Sequence, residues 1–170
     1  MKSKYCPALA AITVLTMATL LQAEDYTHKA SGLKFSLPKG WSCTEKAGRI
    51  TITNKDKSLT CVGDVIPKES AKAIFADIRR FLDSLDGFDD VEVTDGPKKE
   101  KVNGLEQAWY EGTMSGKNAA GKTEEIEWDM TIVSGGKAIL FLIGMGKLDE
   151  NEKAYDKFFE SIKEATDADE

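Results

Sequence analysis

Ala138-Ile139-Leu140-Phe141-Leu142-Ile143 carries no polar residue. A strand with apolar side chains on both sides has no wet face, so this stretch predicts the central, fully covered strand of a sheet. The segment before it reads differently. Ile126, Trp128, Met130 and Ile132 alternate with Glu125, Glu127, Asp129 and Thr131. Period two with one polar side predicts a strand with one buried and one wet face. Ser134-Gly135-Gly136 lies between the two stretches and predicts a tight hairpin, which makes them antiparallel neighbours. Further back, Leu105 to Met114 predicts a long strand, with Ala108, Tyr110 and Met114 on one face and Trp109 on the other.

The first half supplies more strands. Leu33 to Leu37 and Ile50 to Thr53 alternate, and Leu59 to Ile66 returns as a strand closed by Pro67. Val91 to Val93 reads as a short strand and Asp95-Gly96-Pro97 as a turn. The period changes where Ala71, Ile74, Phe75, Ile78, Phe81, Leu82 and Leu85 recur at three and four, which predicts one amphipathic helix from Ser70 to Gly87. A last helix is predicted after Asp149, its cap, with Tyr155, Phe158, Phe159 and Ile162 as the buried stripe. Segregated strands with two amphipathic helices indicate an α+β domain, an antiparallel sheet with helices on both faces.

The N-terminus sets the address. Lys2 and Lys4 precede an uncharged, mostly apolar run from Ala8 to Leu21, and Ala23 offers a small residue for cleavage. Residues 1–23 therefore read as a signal peptide cut after Ala23, with a periplasmic or secreted product. The run is shorter than the about 20 residues a spanning helix needs, so no stable membrane anchor is expected. One domain follows over 24–165, with an acidic tail at 166–170. The chain carries a net charge of −6, and removing Lys2 and Lys4 makes it more acidic. Such a domain is repelled by nucleic acid and by anionic lipid, which argues against both as partners. Glu24 to Ala30 reads as a polar lead-in.

Cys43 and Cys61 remain after cleavage, and a pair in an exported chain points to a disulfide worth about 3 kcal/mol in the chain-entropy model. A simple three-stranded meander would put them roughly 10 Å apart, so the bond needs Cys43 in a loop or another strand order. Two buried free thiols are the other reading.

Candidate chemistry is sparse. Gly116 to Thr123 matches the G-x-x-x-x-G-K-[ST] phosphate loop in full. That loop needs a helix after it, and here a strand pattern follows, so no nucleotide is expected. His28 is the only histidine and sits in the lead-in, where a surface position is expected. No catalytic set, metal site or cofactor site is predicted. Asp86, Asp89 and Asp90 read as a solvated turn, and Lys98, Lys99 and Lys101 as a soluble basic turn. Glu125, Glu127 and Asp129 share one sheet face that suits a cationic partner. Trp109, on the face opposite Tyr110, completes that candidate face, while Trp41 and Trp128 read as core or groove aromatics.

Gly32-Leu33-Lys34-Phe35-Ser36-Leu37-Pro38-Lys39-Gly40-Trp41 resembles the opening of PsbP-like and DcrB-like domains, an apolar-x-F-x-x-P-x-G-W segment. Val102-Asn103-Gly104-Leu105 leading into a long strand, and Phe159-Glu160-Ser161-Ile162 in the last helix, extend the resemblance across nearly the whole chain after residue 23. The resemblance implies about six antiparallel strands between helices, an α/β/α sandwich. It also implies a non-catalytic accessory or binding domain, as in photosynthetic accessory subunits and small envelope proteins, and it carries no functional residue over. The expectation is an exported domain acting through protein contacts. The alternative is a binder of small ligands or envelope components at a groove in the sheet, and an enzyme is the least favoured reading.

Overall fold

The structure, a computed structural model, describes residues 24–85, 89–117 and 122–166. The signal-peptide reading, Asp86 and residues 118–121 of the glycine-rich loop lie outside the described residues. In chain order the elements are β1 (Glu24–His28), β2 (Leu33–Leu37), β3 (Ser42–Lys46), β4 (Arg49–Thr53), β5 (Leu59–Ile66), α1 (Lys68–Ala76), α2 (Ile78–Asp83), β6 (Asp89–Val102), β7 (Leu105–Lys117), β8 (Thr123–Ser134), β9 (Ile139–Gly146), α3 (Leu148–Glu160) and β10 (Lys163–Glu164).

Seven strands form an antiparallel sheet in the order β3-β4-β5-β9-β8-β7-β6, one strand wider than the six expected. The apolar stretch at 138–143 falls on β9, the fourth strand, so the residue pattern located the middle of the sheet. Its side chains divide by parity. Leu140 and Leu142 join a core cluster with Phe35, Ile50, Ile52 and the α3 residues Tyr155 and Phe158. Ile139, Phe141 and Ile143 join a second cluster with Trp128, Met130, Ile132, Ala71 of α1 and Leu82 of α2. β1, β2 and β10 make a separate three-stranded sheet, whose Leu33, Phe35 and Leu37 feed the first cluster.

Several local expectations change. The single helix is two, broken at Asp77, whose φ of −148° and ψ of 75° leave the helical region. The Asp77 carboxylate accepts from the Arg80 N–H, so a capping side chain restarts the helix inside an unbroken apolar period. Pro67, not Ser70, precedes the first turn, and Lys147, not Asp149, precedes α3. Glu24 to His28 is a strand, held by pairing with β2 over its whole length. The expected short strand and the turn at 95–97 merge into β6, which absorbs that turn as irregularities in its register against β7. Asn103 and Gly104 turn β6 into β7 with φ of 49° and 85°, left-handed values that Asn and Gly accept at little cost.

The expected disulfide is absent: Cys43 and Cys61 are free. Cys43 pairs with Ile52 on β4, and Ile52 pairs with Cys61 on β5, so one strand stands between the cysteines. Two strand spacings of about 4.8 Å exceed the reach of a disulfide.

Candidate functional site

The face of the sheet that meets α3 carries the polar chemistry. A single row crosses it: Cys43, Ile52, Cys61, Gly144, Asp129 and Glu111 are successive cross-strand partners on β3, β4, β5, β9, β8 and β7. Cross-strand partners share a face. Tyr155 of α3 comes down on this row, and its hydroxyl donates a short hydrogen bond to Asp129 Oδ1. The Gly144 N–H donates to the same oxygen at 3.2 Å. Residue 144 must be glycine for this: a Cβ there would fall inside the Tyr155 hydroxyl and 2.6 Å from Asp129 Oδ1.

Burial pushes the Asp129 carboxyl up to about 7, helped by the charges of Glu111 and Asp156 and opposed by its two hydrogen bonds. Burial also holds the Cys61 thiol and the Tyr155 phenol well above their ordinary values, and the Cys43 thiol at about 11. At neutral pH both thiols and the phenol are protonated and weakly nucleophilic. The Asp129–Tyr155–Cys61 chain therefore fastens α3 to the sheet.

Side chains at both ends of α3 hold it in place. Asn54 Nδ2 donates to Asn151 Oδ1 at 3.0 Å near the start. Asn103 Nδ2 donates to the Glu160 and Ile162 carbonyls at 2.6 and 3.0 Å near the end. Underneath, Phe158 packs against Phe35, Trp41 and Phe159 with ring centroids 5.2, 6.5 and 4.9 Å apart.

The helix fixed in this way forms one wall of a groove whose floor is β7 and β8. One stretch, of about 310 Å³, has Trp109, Gln107, Thr131, Tyr155 and Phe159 beside the carboxylates of Glu100, Glu111, Asp129, Asp156 and Glu160. The adjoining stretch, of about 410 Å³, shares Glu111, Asp129, Tyr155 and Asp156 and adds Glu127, Asp149 and Glu152. No Lys or Arg lines either stretch among the described residues. Lys98 reaches Glu111 from the side at 3.5 Å while pairing with Asp95 at 2.5 Å.

Of the residues marked out in the sequence, Trp109, Glu127 and Asp129 meet in this groove, and Glu125 is exposed further along β8. Asp129 is not the wet residue its alternation suggested, because the Tyr155 hydroxyl covers it. Trp128 is core, donating its indole N–H to the Thr113 carbonyl at 3.0 Å. His28 is fully buried instead of exposed. Its Nε2 faces the Gly48 carbonyl at 2.9 Å and must donate, which leaves Nδ1 to accept from the Ser31 hydroxyl, also at 2.9 Å, when the ring is neutral. Asp90 accepts from the Ser115 hydroxyl. Thr123, which ends the phosphate-loop pattern, opens a strand paired with Lys117. Sequence reasoning missed Tyr155 and Gln107 as groove residues, since an aromatic on a helix stripe and a Gln on a strand carry no distinctive spacing. The Asn103-Gly104 pair was the one available signal for the clamp on α3.

A larger cavity, about 610 Å³, opens on the opposite face. Ala108, Ile132 and Ile139 form an apolar floor, Phe75 is its exposed wall, and Lys99, Glu100, Lys101 and Glu106 stand at its edge.

Comparison with solved structures gives the fold its place. The chain superposes on the cyanobacterial PsbP of Synechocystis with a TM-score of 0.53 at 12% identity, over 87% of this chain and 95% of that one. The fold is PsbP-like. Similar superpositions are found with LpqN of Mycobacterium tuberculosis, described as involved in cell envelope biogenesis (TM-score 0.51, 15% identity, 85% and 91% covered). Another is with the yeast Ran-binding protein Mog1p (TM-score 0.52, 9% identity, 87% and 98% covered). A further match, to a Bacteroides thetaiotaomicron protein (TM-score 0.51, 12% identity), covers 86% of this chain and 50% of that longer one. No family model matches the chain, and no curated protein matches it by sequence.

Proposed function

We propose that this PsbP-like domain is an exported accessory module without catalytic activity, and that it binds a cationic region of a partner protein along the α3 groove. The observation that carries the reading is the excess negative charge of the groove, whose lining among the described residues holds eight carboxyl groups and no cationic residue, with only Glu111 met by Lys98 and only Asp129 raised by burial to about 7. Like charges held together on a rigid wall and floor repel one another, and a positively charged partner relieves that repulsion. Export rests on the signal-like N-terminus. The occurrence of the same fold in a protein of envelope biogenesis and in a Ran-binding protein supports both halves of the proposal.

A photo-crosslinking residue at exposed Glu127, compared with one at exposed Lys72 on α1, tests it. A discrete adduct from position 127 alone, together with a processed N-terminus at Glu24 by mass spectrometry, is the expected result. Adducts of equal yield from both positions would remove the groove from consideration.

The cavity beneath Phe75 supports a second reading, a small-ligand or envelope-component binder. Its volume lies within the range of about 300–1,000 Å³ usual for ligand sites, and its apolar floor under a rim of Lys99 and Lys101 interleaved with Glu100 and Glu106 suits an amphiphile. Displacement of a fluorescent fatty acid by unlabelled fatty acid, abolished by Ile132→Glu, would favour it.

A further inference from the structure

We infer that the groove is built to take an arginine residue of an extended partner segment, with Gln107 binding its main-chain carbonyl. This inference rests on the protein-binding reading above and names the group that is bound. Gln107 is 3% exposed, and its Nε2 is the one buried side-chain polar atom among the described residues with no hydrogen-bond partner. Its cross-strand partner Val133 belongs to the α3-side core, which puts the Gln107 side chain on the groove face. A buried amide donor without an acceptor costs free energy in the empty protein, and a bound carbonyl oxygen recovers it.

The next residues on the same face of β7 are Trp109 and Glu111, each about 7 Å further along the strand. Asp129 lies across the ladder from Glu111, and Asp156 and Glu160 face the floor from α3. Reading along the groove, the order is a carbonyl-binding amide, an indole, and carboxylates on two sides. An arginine residue presents the matching order of carbonyl oxygen, apolar stem and planar cation. Its stem lies on Trp109, and its five donors serve carboxylates from different directions, which the compact ammonium of lysine does less well. Lys98 already engages Glu111 and burial raises Asp129 to about 7, so the charge left for the ligand is carried mainly by Glu100, Asp156 and Glu160.

The test is an NMR titration of the chain purified after export with N-acetyl-Gly-Arg-Gly-amide, alongside the lysine and citrulline analogues. The expected result is shifts at the Gln107 side-chain amide and the Trp109 indole N–H, weaker with lysine and absent with citrulline. Asp156→Asn with Glu160→Gln removes both α3 carboxylates that face the floor and should weaken arginine binding by at least about tenfold. Gln107→Leu should weaken it by roughly fivefold while leaving the melting temperature unchanged or higher, a combination that a purely structural glutamine would not give. Equal shifts with citrulline, shifts spread along the acidic surface, or none at millimolar peptide overturn the inference. If position 127 still crosslinks a partner in that case, the protein-binding reading survives and only the arginine assignment fails. If neither gives a signal, both fail.

Discussion

The two faces of the seven-stranded sheet are made by the same strands and do different work. On the α1–α2 side, Trp128, Met130, Ile132, Phe141 and Ile143 pack under two short helices, one contributing the half-buried Phe81, whose ring meets Phe141 at 5.3 Å. On the α3 side, Phe158 is fully buried against three aromatic neighbours, while Asp129, Tyr155 and Cys61 bring polar atoms into the same layer. A face filled mainly by apolar side chains adds stability, and what it leaves open beside Phe75 is a cavity with an apolar floor. A face that buries carboxylate and phenol under a helix fastened at both ends gains an acidic groove whose walls hold their positions.

The largest contrast should come from truncating the anchors. Phe158→Ala is expected to cost about 3–5 kcal/mol, as for a buried aromatic in a packed core. Phe81→Ala, at a partly buried position, should cost clearly less in paired urea melts. Equal losses would show that α2 is fastened as deeply as α3. Gly144→Ala comes next. Overpacking the Tyr155–Asp129 contact should cost about 1–3 kcal/mol and disturb α3 amides more than α1 amides in hydrogen exchange.

The third prediction concerns pH. Burial raises Asp129 to about 7 in the folded chain, against 3.8 for an unperturbed Asp, so the folded state binds this proton more tightly than the unfolded state does. Its contribution is then fully present below about pH 4 and is lost as pH rises through about 7. Asp129→Asn should flatten the stability profile between those limits, and thermal melts from pH 4 to 8 measure the slope. An unchanged slope would mean the carboxylate is ionised and solvated. The smallest effect is expected from reductant. With Ile52 standing between Cys43 and Cys61, dithiothreitol should leave the melting temperature unchanged, and alkylation of the unfolded chain without reductant should label both thiols.

The strands were readable because burial on a pleated sheet follows parity. Ile126, Trp128, Met130 and Ile132 declared one face of β8, and the unbroken apolar run at 139–143 declared the central strand. The break at Asp77 was hidden because the apolar period runs straight through it, while the Asp77 backbone leaves the helical region and its carboxylate caps the second helix through the Arg80 N–H. His28 was misplaced because its neighbours are polar while its burial comes from Ser31 and the distant Gly48 carbonyl.

By itself the sequence determined the α+β class, the antiparallel order of the last two strands of the main sheet, the identity of its central strand and a carboxylate stripe on one face, since all four follow from local period and turn chemistry. Tertiary structure alone decided that Tyr155 covers Asp129, that Cys43 and Cys61 stand a strand apart, and that Gln107, Trp109 and the α3 carboxylates share one groove. These contacts join residues far apart in the chain, so they depend on how strands are ordered and where a helix lands, which period and composition do not encode.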